Sequence, residues 1–258
     1  MGWLFLFVLI SQSVSALPEN FVYLRDVDPT IEQDIRYATA ENFTGLARAI
    51  PGYRAGECII RQPVACALKR VQKKLVAQGK SLKLYDCYRP QKAVDQFVAW
   101  AADRGGPDLR LQYYPRLRKE QLIPLDYINP RSGHSKGTTV DITAINLGEM
   151  RPPIGNQASY AACTDQDPLR RIPDNSLDMG TGFDCFDELS HTAHPEVEKY
   201  SPQAWRNRLD LIRSMESEGF KNYVKEWWHF SYPKTSSGTI YYNFDILPRP
   251  ISRAIRCN

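Results

Sequence analysis

The sequence contains no apolar run long enough to cross a bilayer, no CxxC pair, no concentrated basic stretch, no low-complexity tract and no internal repeat. Each absence removes a class of protein. A spanning helix takes roughly 18–20 consecutive apolar residues, whereas the run from Trp3 to Ile10 stops well short of that. Stable membrane insertion is therefore not expected. Cysteines without CxxC spacing speak against a cysteine-based metal cluster. The net charge is only +4, and Arg110, Arg116, Arg118, Lys119, Arg170 and Arg171 are scattered along the chain. The electrostatic footprint of a nucleic-acid binder is missing. With nothing to divide them, 258 residues at 43% apolar and 24% charged describe one domain that can bury a sizeable core.

What is present begins at the amino end. The Trp3–Ile10 run is followed by Ser11-Gln12-Ser13 and Val14-Ser15-Ala16. An apolar core ahead of a small-residue cleavage site reads as a signal peptide over 1–16, leaving a domain over 17–258. No Lys or Arg precedes the run, which weakens the pattern, and no Cys follows the cleavage point, which speaks against a lipoprotein. The expectation is export, to a periplasm or to the outside. All six cysteines (Cys58, Cys66, Cys87, Cys163, Cys185, Cys257) lie beyond residue 16, an even number suited to disulfides in an oxidising compartment. Proximity alone suggests Cys58–Cys66 and Cys163–Cys185.

Hydrophobic periodicity predicts helices over 65–79, 91–103 and 202–218, closed by Gly79, Arg104-Gly105-Gly106 and Gly219 respectively. Alternating or β-branched segments predict strands over 82–88, 138–145 and 226–232. Residues 149–180, rich in Pro, Asp, Asn and Gly, form a long excursion that a disulfide at Cys163 would tie down. Helices and strands interspersed without βαβ regularity indicate a single α+β domain.

Two short segments carry chemistry. In the predicted strand Thr138–Ile145, Asp141 interrupts a β-branched run, and such a carboxylate is costly unless exposed, paired or metal-bound. His134 stands seven residues before it. Near the carboxyl end, Glu226 precedes His229 by three residues in an aromatic segment. Each half alone is weak: taken by itself, the second is better explained by a satisfied core His and a surface Glu. Together they supply two His, one Asp and a free Glu. That is the inventory of a catalytic zinc site, three ligands and an acid–base group. His191 and His194 sit in a polar loop and are the weaker candidates for metal ligation.

Ser132-Gly133-His134-Ser135-Lys136-Gly137-Thr138-Thr139-Val140-Asp141 resembles the SxHxxGxAxD motif of the D-Ala-D-Ala metallopeptidases, with Thr139 where that motif has Ala. Glu226-Trp227-Trp228-His229 resembles their second motif in the form typical of the D-alanyl-D-alanine dipeptidases. Further blocks follow in the family's order. Tyr37–Gly45 is similar to a YATxxNFTG segment, Asp86–Pro90 to DxYRP, and Met179–Asp184 to MGxxFD ahead of an acidic–Ser–His stretch ending at His191. The resemblance implies an antiparallel-rich central sheet flanked by helices, with a zinc site in a cleft on the sheet. It implies one Zn2+ per chain held by His134, Asp141 and His229, and Glu226 as catalytic base. Arg89 would stabilise the oxyanion, Tyr37 and Asp184 would meet the substrate's ammonium, and Ser132 would lie near its carboxylate.

The activity so implied is hydrolysis of the dipeptide D-Ala-D-Ala. A D,D-carboxypeptidase or peptidoglycan endopeptidase acting on stem-peptide ends is the nearest alternative, and a zinc-containing binding module without catalysis is a third. The export signal, the cysteines and the excursion after Asp141 depart from the family's pattern. An excursion beside the site would bear on substrate length.

Overall fold

The computed structural model describes residues 17–235 and 240–257. The expected signal peptide lies outside them. The chain opens with β1 (Phe21–Tyr23) and the one-turn helix α1 (Leu24–Val27), followed by β2 (Glu32–Gln33) and β3 (Ile59–Arg61). Helix α2 (Gln62–Val76) leads into β4 (Lys80–Asp86), and α3 (Gln91–Ala102) and short α4 (Arg110–Tyr113) precede β5 (Thr139–Asn146). The carboxyl half holds α5 (Pro195–Tyr200), α6 (Pro202–Glu216) and the hairpin β6 (Lys221–Tyr223) and β7 (Glu226–Ser231).

β2, β4, β5, β7 and β6 lie side by side in that order as one sheet, and β1 pairs with β3 as a small second one. Only β2–β4 is parallel; the other pairings are antiparallel. The fold is thus α+β and antiparallel-rich. No helix among the described residues is long and apolar enough to cross a membrane.

The predicted elements recur with shifted ends. α2 begins three residues before the expected helix because Pro63, in its first turn, needs no intrahelical donor there. It ends at Val76, and Gly79 takes a left-handed φ of 73° as the chain turns into β4. β5 is buried from Thr139 to Ile145 on both faces. Val140 and Ile142 join the apolar core, while Thr143 on the other face bonds Ser176 at 2.5 Å. A centre strand clasped on both sides has no solvent face for Asp141.

The disulfides are Cys58–Cys87, Cys66–Cys257 and Cys163–Cys185. The third was expected. Cys58–Cys66 is corrected: the extended strand β3 and the first turn of α2 carry the two residues apart. Cys58 instead meets Cys87 just past the end of β4, and Cys66 on α2 receives the carboxyl-terminal tail.

The 149–180 excursion holds only short 3-10 turns, at Gln157–Ser159 and Pro168–Arg170. It is fastened by charge. Lys83 is fully buried on β4, pairs with Asp174 and donates to Asn175 at 2.6 Å. Arg36 also pairs with Asp174, and Tyr85 donates to it at 3.0 Å. Arg151 reaches Asp34 and Glu41 at 2.9 and 2.7 Å.

Candidate active site

Register brings the site together. Asp141 on β5 pairs directly with His229 on β7, and a bulge between Leu84 and Asp86 slides Asp86 opposite Asp141 on the other side. Three polar residues thereby line up across adjacent strands. His134 arrives from the 3-10 turn Gly133–Lys136, capped by Ser132, whose Oγ accepts from the His134 amide at 3.2 Å. The glycine that opens that turn and the one that follows it are both required. A Cβ on Gly133 would stand 2.5 Å from Thr139 Oγ1, and one on Gly137, at φ 68°, would stand 2.3 Å from Phe21.

His134 Nδ1 lies 2.7 Å from the carbonyl oxygen of Cys87. A carbonyl only accepts, so Nδ1 carries the proton and Nε2 is left with a bare lone pair. That lone pair faces Asp141 Oδ1 at 3.3 Å. Both atoms are buried without a hydrogen-bond partner among the described residues. Two acceptors aimed at each other in a dry interior repel unless a cation lies between them. His229 Nδ1 comes within 3.1 Å of the same carboxylate oxygen, and one ligand atom from each of the three residues lies within 4.8 Å of the others. Nitrogen and oxygen donors in this number fit a divalent metal with an open position. Burial lowers the His229 pKa, which favours the neutral imidazole that ligates. Burial would raise Asp141; positive charge at the two imidazoles outweighs it and holds the group ionised, and with both rings neutral a cation between the three residues would have to supply that charge.

Glu226 stands at the start of β7 with Oε2 3.3 Å from His229 Nδ1. Burial first, then the negative charges of Asp141 and Asp184, push its carboxyl well above the usual range. Arg89 donates to Asp86 Oδ2 at 2.8 Å and to Asp141 Oδ2 at 3.1 Å, with its guanidinium over the rings of Tyr37 and Phe97. Tyr37 in turn donates to Asp184 Oδ2 at 2.9 Å. Asp184 is buried, and its φ of 56° is one that non-glycine residues seldom adopt. Backbone strain of this kind is held by the surrounding structure and recurs at working sites.

The two other histidines are elsewhere. His191 Nε2 meets the Tyr127 hydroxyl at 3.0 Å, and His194 caps α5 through Nδ1.

A family model described as D-ala-D-ala dipeptidase matches residues 18–152 and 149–247. The chain belongs to this family. Curated D-alanyl-D-alanine dipeptidases are similar over most of the sequence. That of Enterococcus faecalis is 32% identical over 232 residues, covering 89% of this chain and all of the relative. That of Escherichia coli K12 is 34% identical over 218 residues, 84% of this chain and 87% of the relative. That of Streptomyces coelicolor is 30% identical over 229 residues, 88% and 98% respectively. The two matched segments of the dipeptidase model meet at the start of the excursion.

In this member of the dipeptidase family a cavity of about 190 Å3 is lined by Asp141 and His229, with Tyr37, Ser132, Asp184 and Glu226 among its other walls, while fully buried His134 lies behind them. Tyr37, Phe43, Phe97 and Phe186 pack ring against ring as an apolar wall of the cavity that buried Asp184 also lines. No residue of 149–180 lines this cavity. The excursion packs instead against β4 and the loops near Arg36 and Glu41, so it neither narrows nor lids the site.

Two residues at the site escaped the sequence reading. Asp86, fully buried, binds Arg89 and accepts from Tyr53 at 2.7 Å. Its signal was present, since it heads the Asp86–Pro90 block. Tyr223 packs edge-on against the His229 ring, centroids 5.7 Å apart, and donates to Asp126 at 2.9 Å. A tyrosine in a short edge strand carries no mark of such a role.

Proposed function

We propose that this chain is an exported zinc dipeptidase that hydrolyses D-alanyl-D-alanine. The observation that carries the metal is the pair of unpartnered acceptors, His134 Nε2 and Asp141 Oδ1, with His229 Nδ1 beside them. When bound by His134, Asp141 and His229, zinc supplies Lewis-acid polarisation of a carbonyl and acidification of a water. Glu226, adjacent to His229 in the same cavity, is placed to take the proton of the attacking water and hand it to the leaving amine. Arg89, held by Asp86 and Asp141, presents a fixed positive charge to the developing oxyanion.

Asp184 with the Tyr37 hydroxyl receives the substrate's ammonium, and the Ser132 side of the cavity receives its carboxylate. Because Asp184 and Tyr37 are only 3% and 1% exposed, a peptide continued past its amino end would meet the apolar wall. This supports a free dipeptide over a stem peptide. Three disulfides agree with an oxidising compartment, and Glu226 and Arg89 together in the cavity argue against a binding module without catalysis.

The test is a length series of D-Ala-terminated peptides assayed with and without a chelator. Free D-Ala should appear from the dipeptide, stop on chelation and resume with added zinc. Release from an acylated tripeptide but not from the dipeptide would make the protein a carboxypeptidase instead.

A further inference from the structure

The carboxyl-terminal segment, residues 240–257, returns across the molecule to the two turns that carry His134 and Arg89. Those turns are already laced to each other. The Arg89 amide donates to the His134 carbonyl at 3.3 Å, and Ser135 Oγ donates to the Arg89 carbonyl at 2.8 Å. Tyr242 bridges both. Its amide donates to the Ser135 carbonyl at 2.8 Å, while its own carbonyl accepts from the Gln91 amide at 3.0 Å. One peptide unit on each side of Tyr242 thus ties the residue after His134 to the second residue after Arg89. Tyr241, just before it, lies under the cations of Arg131 and Lys136, on either side of the His134 turn.

The tail does not depend on these bonds to stay in place. Ile246 exchanges bonds with Gly52 and Arg54, Phe244 stacks on Tyr88 at 4.1 Å, and Arg249 pairs with Asp26 at 2.6 Å. The Cys66–Cys257 disulfide anchors its end. What the Tyr242 bonds add is local: they fix the distance between the turn that presents His134 Nε2 and the turn that presents the Arg89 guanidinium.

We propose that Tyr242 is a positioning residue, whose main-chain amide and carbonyl hold His134 and Arg89 in mutual register. This rests on the reading above that His134 ligates a metal and Arg89 faces the oxyanion. Groups that hydrogen-bond a metal ligand itself change metal affinity or activity by about 10- to 100-fold when lost; Tyr242 bonds the residue after His134, one step further out, so the low end of that range applies.

The experiment compares Tyr242→Pro, which deletes the amide donor, with Tyr242→Phe, which keeps both main-chain bonds and the ring. Metal-free protein is titrated with zinc, and with cobalt to read the ligand field, alongside kcat and KM. Tyr242→Pro should bind metal about tenfold more weakly and lose kcat more than it raises KM. Tyr242→Phe should restore both. Parental metal affinity in folded Tyr242→Pro would overturn the proposal, as would equal weakening in Tyr242→Phe, which would assign the effect to the side chain. If the proline variant does not fold, a backbone ester at position 242 removes the same hydrogen without the ring, and the same two outcomes decide. Because metal affinity is read without substrate, absence of D-Ala-D-Ala hydrolysis would sink the dipeptidase reading while leaving this one to stand or fall separately.

Discussion

Single residues at this site are legible in proportion to how badly they fit a bland explanation. Asp141 is out of place in a β-branched strand, and the structure gives it no solvent. Asp86 raised no such alarm, because its importance comes from a bulge that slides it opposite Asp141. Each supports a prediction. Replacing Glu226 with Gln keeps the size and polarity of the side chain but removes the proton acceptor, so zinc should stay bound while turnover falls. General acid–base groups contribute roughly 10²–10⁴-fold; metal analysis and kcat on one preparation check this, and retained turnover would remove Glu226 from the role. Asp86→Asn leaves the Arg89 guanidinium with one carboxylate, Asp141, instead of two. Its kcat should fall by about 10- to 100-fold with KM changing less. An unaltered kcat would show that Asp141 alone holds the arginine.

Whole elements were the most legible level, and the reasons are local. β5 and β7 declared themselves by β-branched and aromatic composition, and α2, α3 and α6 by apolar spacing with glycine near the ends of α2 and α6. Where the 149–180 excursion lies was not legible, because it is held by ion pairs to residues more than a hundred positions away, such as Arg36 to Asp174. Burial works to raise the Asp174 carboxyl, but Arg36 and Lys83 outweigh it and bring it down to about 2. The unfolded value is about 3.9. Between these values the unfolded chain takes up a proton that the folded chain refuses, so stability is full above pH ~4 and declines as pH falls toward ~2. The contribution is on the order of 2–3 kcal/mol. Urea unfolding of the parent should therefore weaken across that window more steeply than that of Asp174→Asn. At neutral pH the variant should already be less stable, by about 1–3 kcal/mol, because buried Lys83 and Arg36 are left with Asp34 as their one remaining carboxylate. Parallel pH profiles would mean that Asp174 is not the group responsible.

At the scale of the whole molecule, chain closure decides what local reading cannot reach. Cysteine proximity in sequence suggested Cys58–Cys66, yet Cys66 pairs with Cys257 across 191 residues. Only the assembled fold, in which the tail crosses the turns of His134 and Arg89 before reaching α2, brings those two thiols together. The same distance makes the bond energetically prominent. A cross-link stabilises chiefly by restricting the unfolded chain, and the restriction grows with the logarithm of the loop it closes. On that account Cys66–Cys257 is worth about 5 kcal/mol, against about 3–4 kcal/mol for Cys58–Cys87 and Cys163–Cys185, whose separations are 29 and 22 residues. Replacing each pair with alanine in turn and measuring the urea midpoint should give the largest loss for Cys66–Cys257. An equal loss for all three would mean that packing around each bond, and not the length of chain it encloses, sets its contribution.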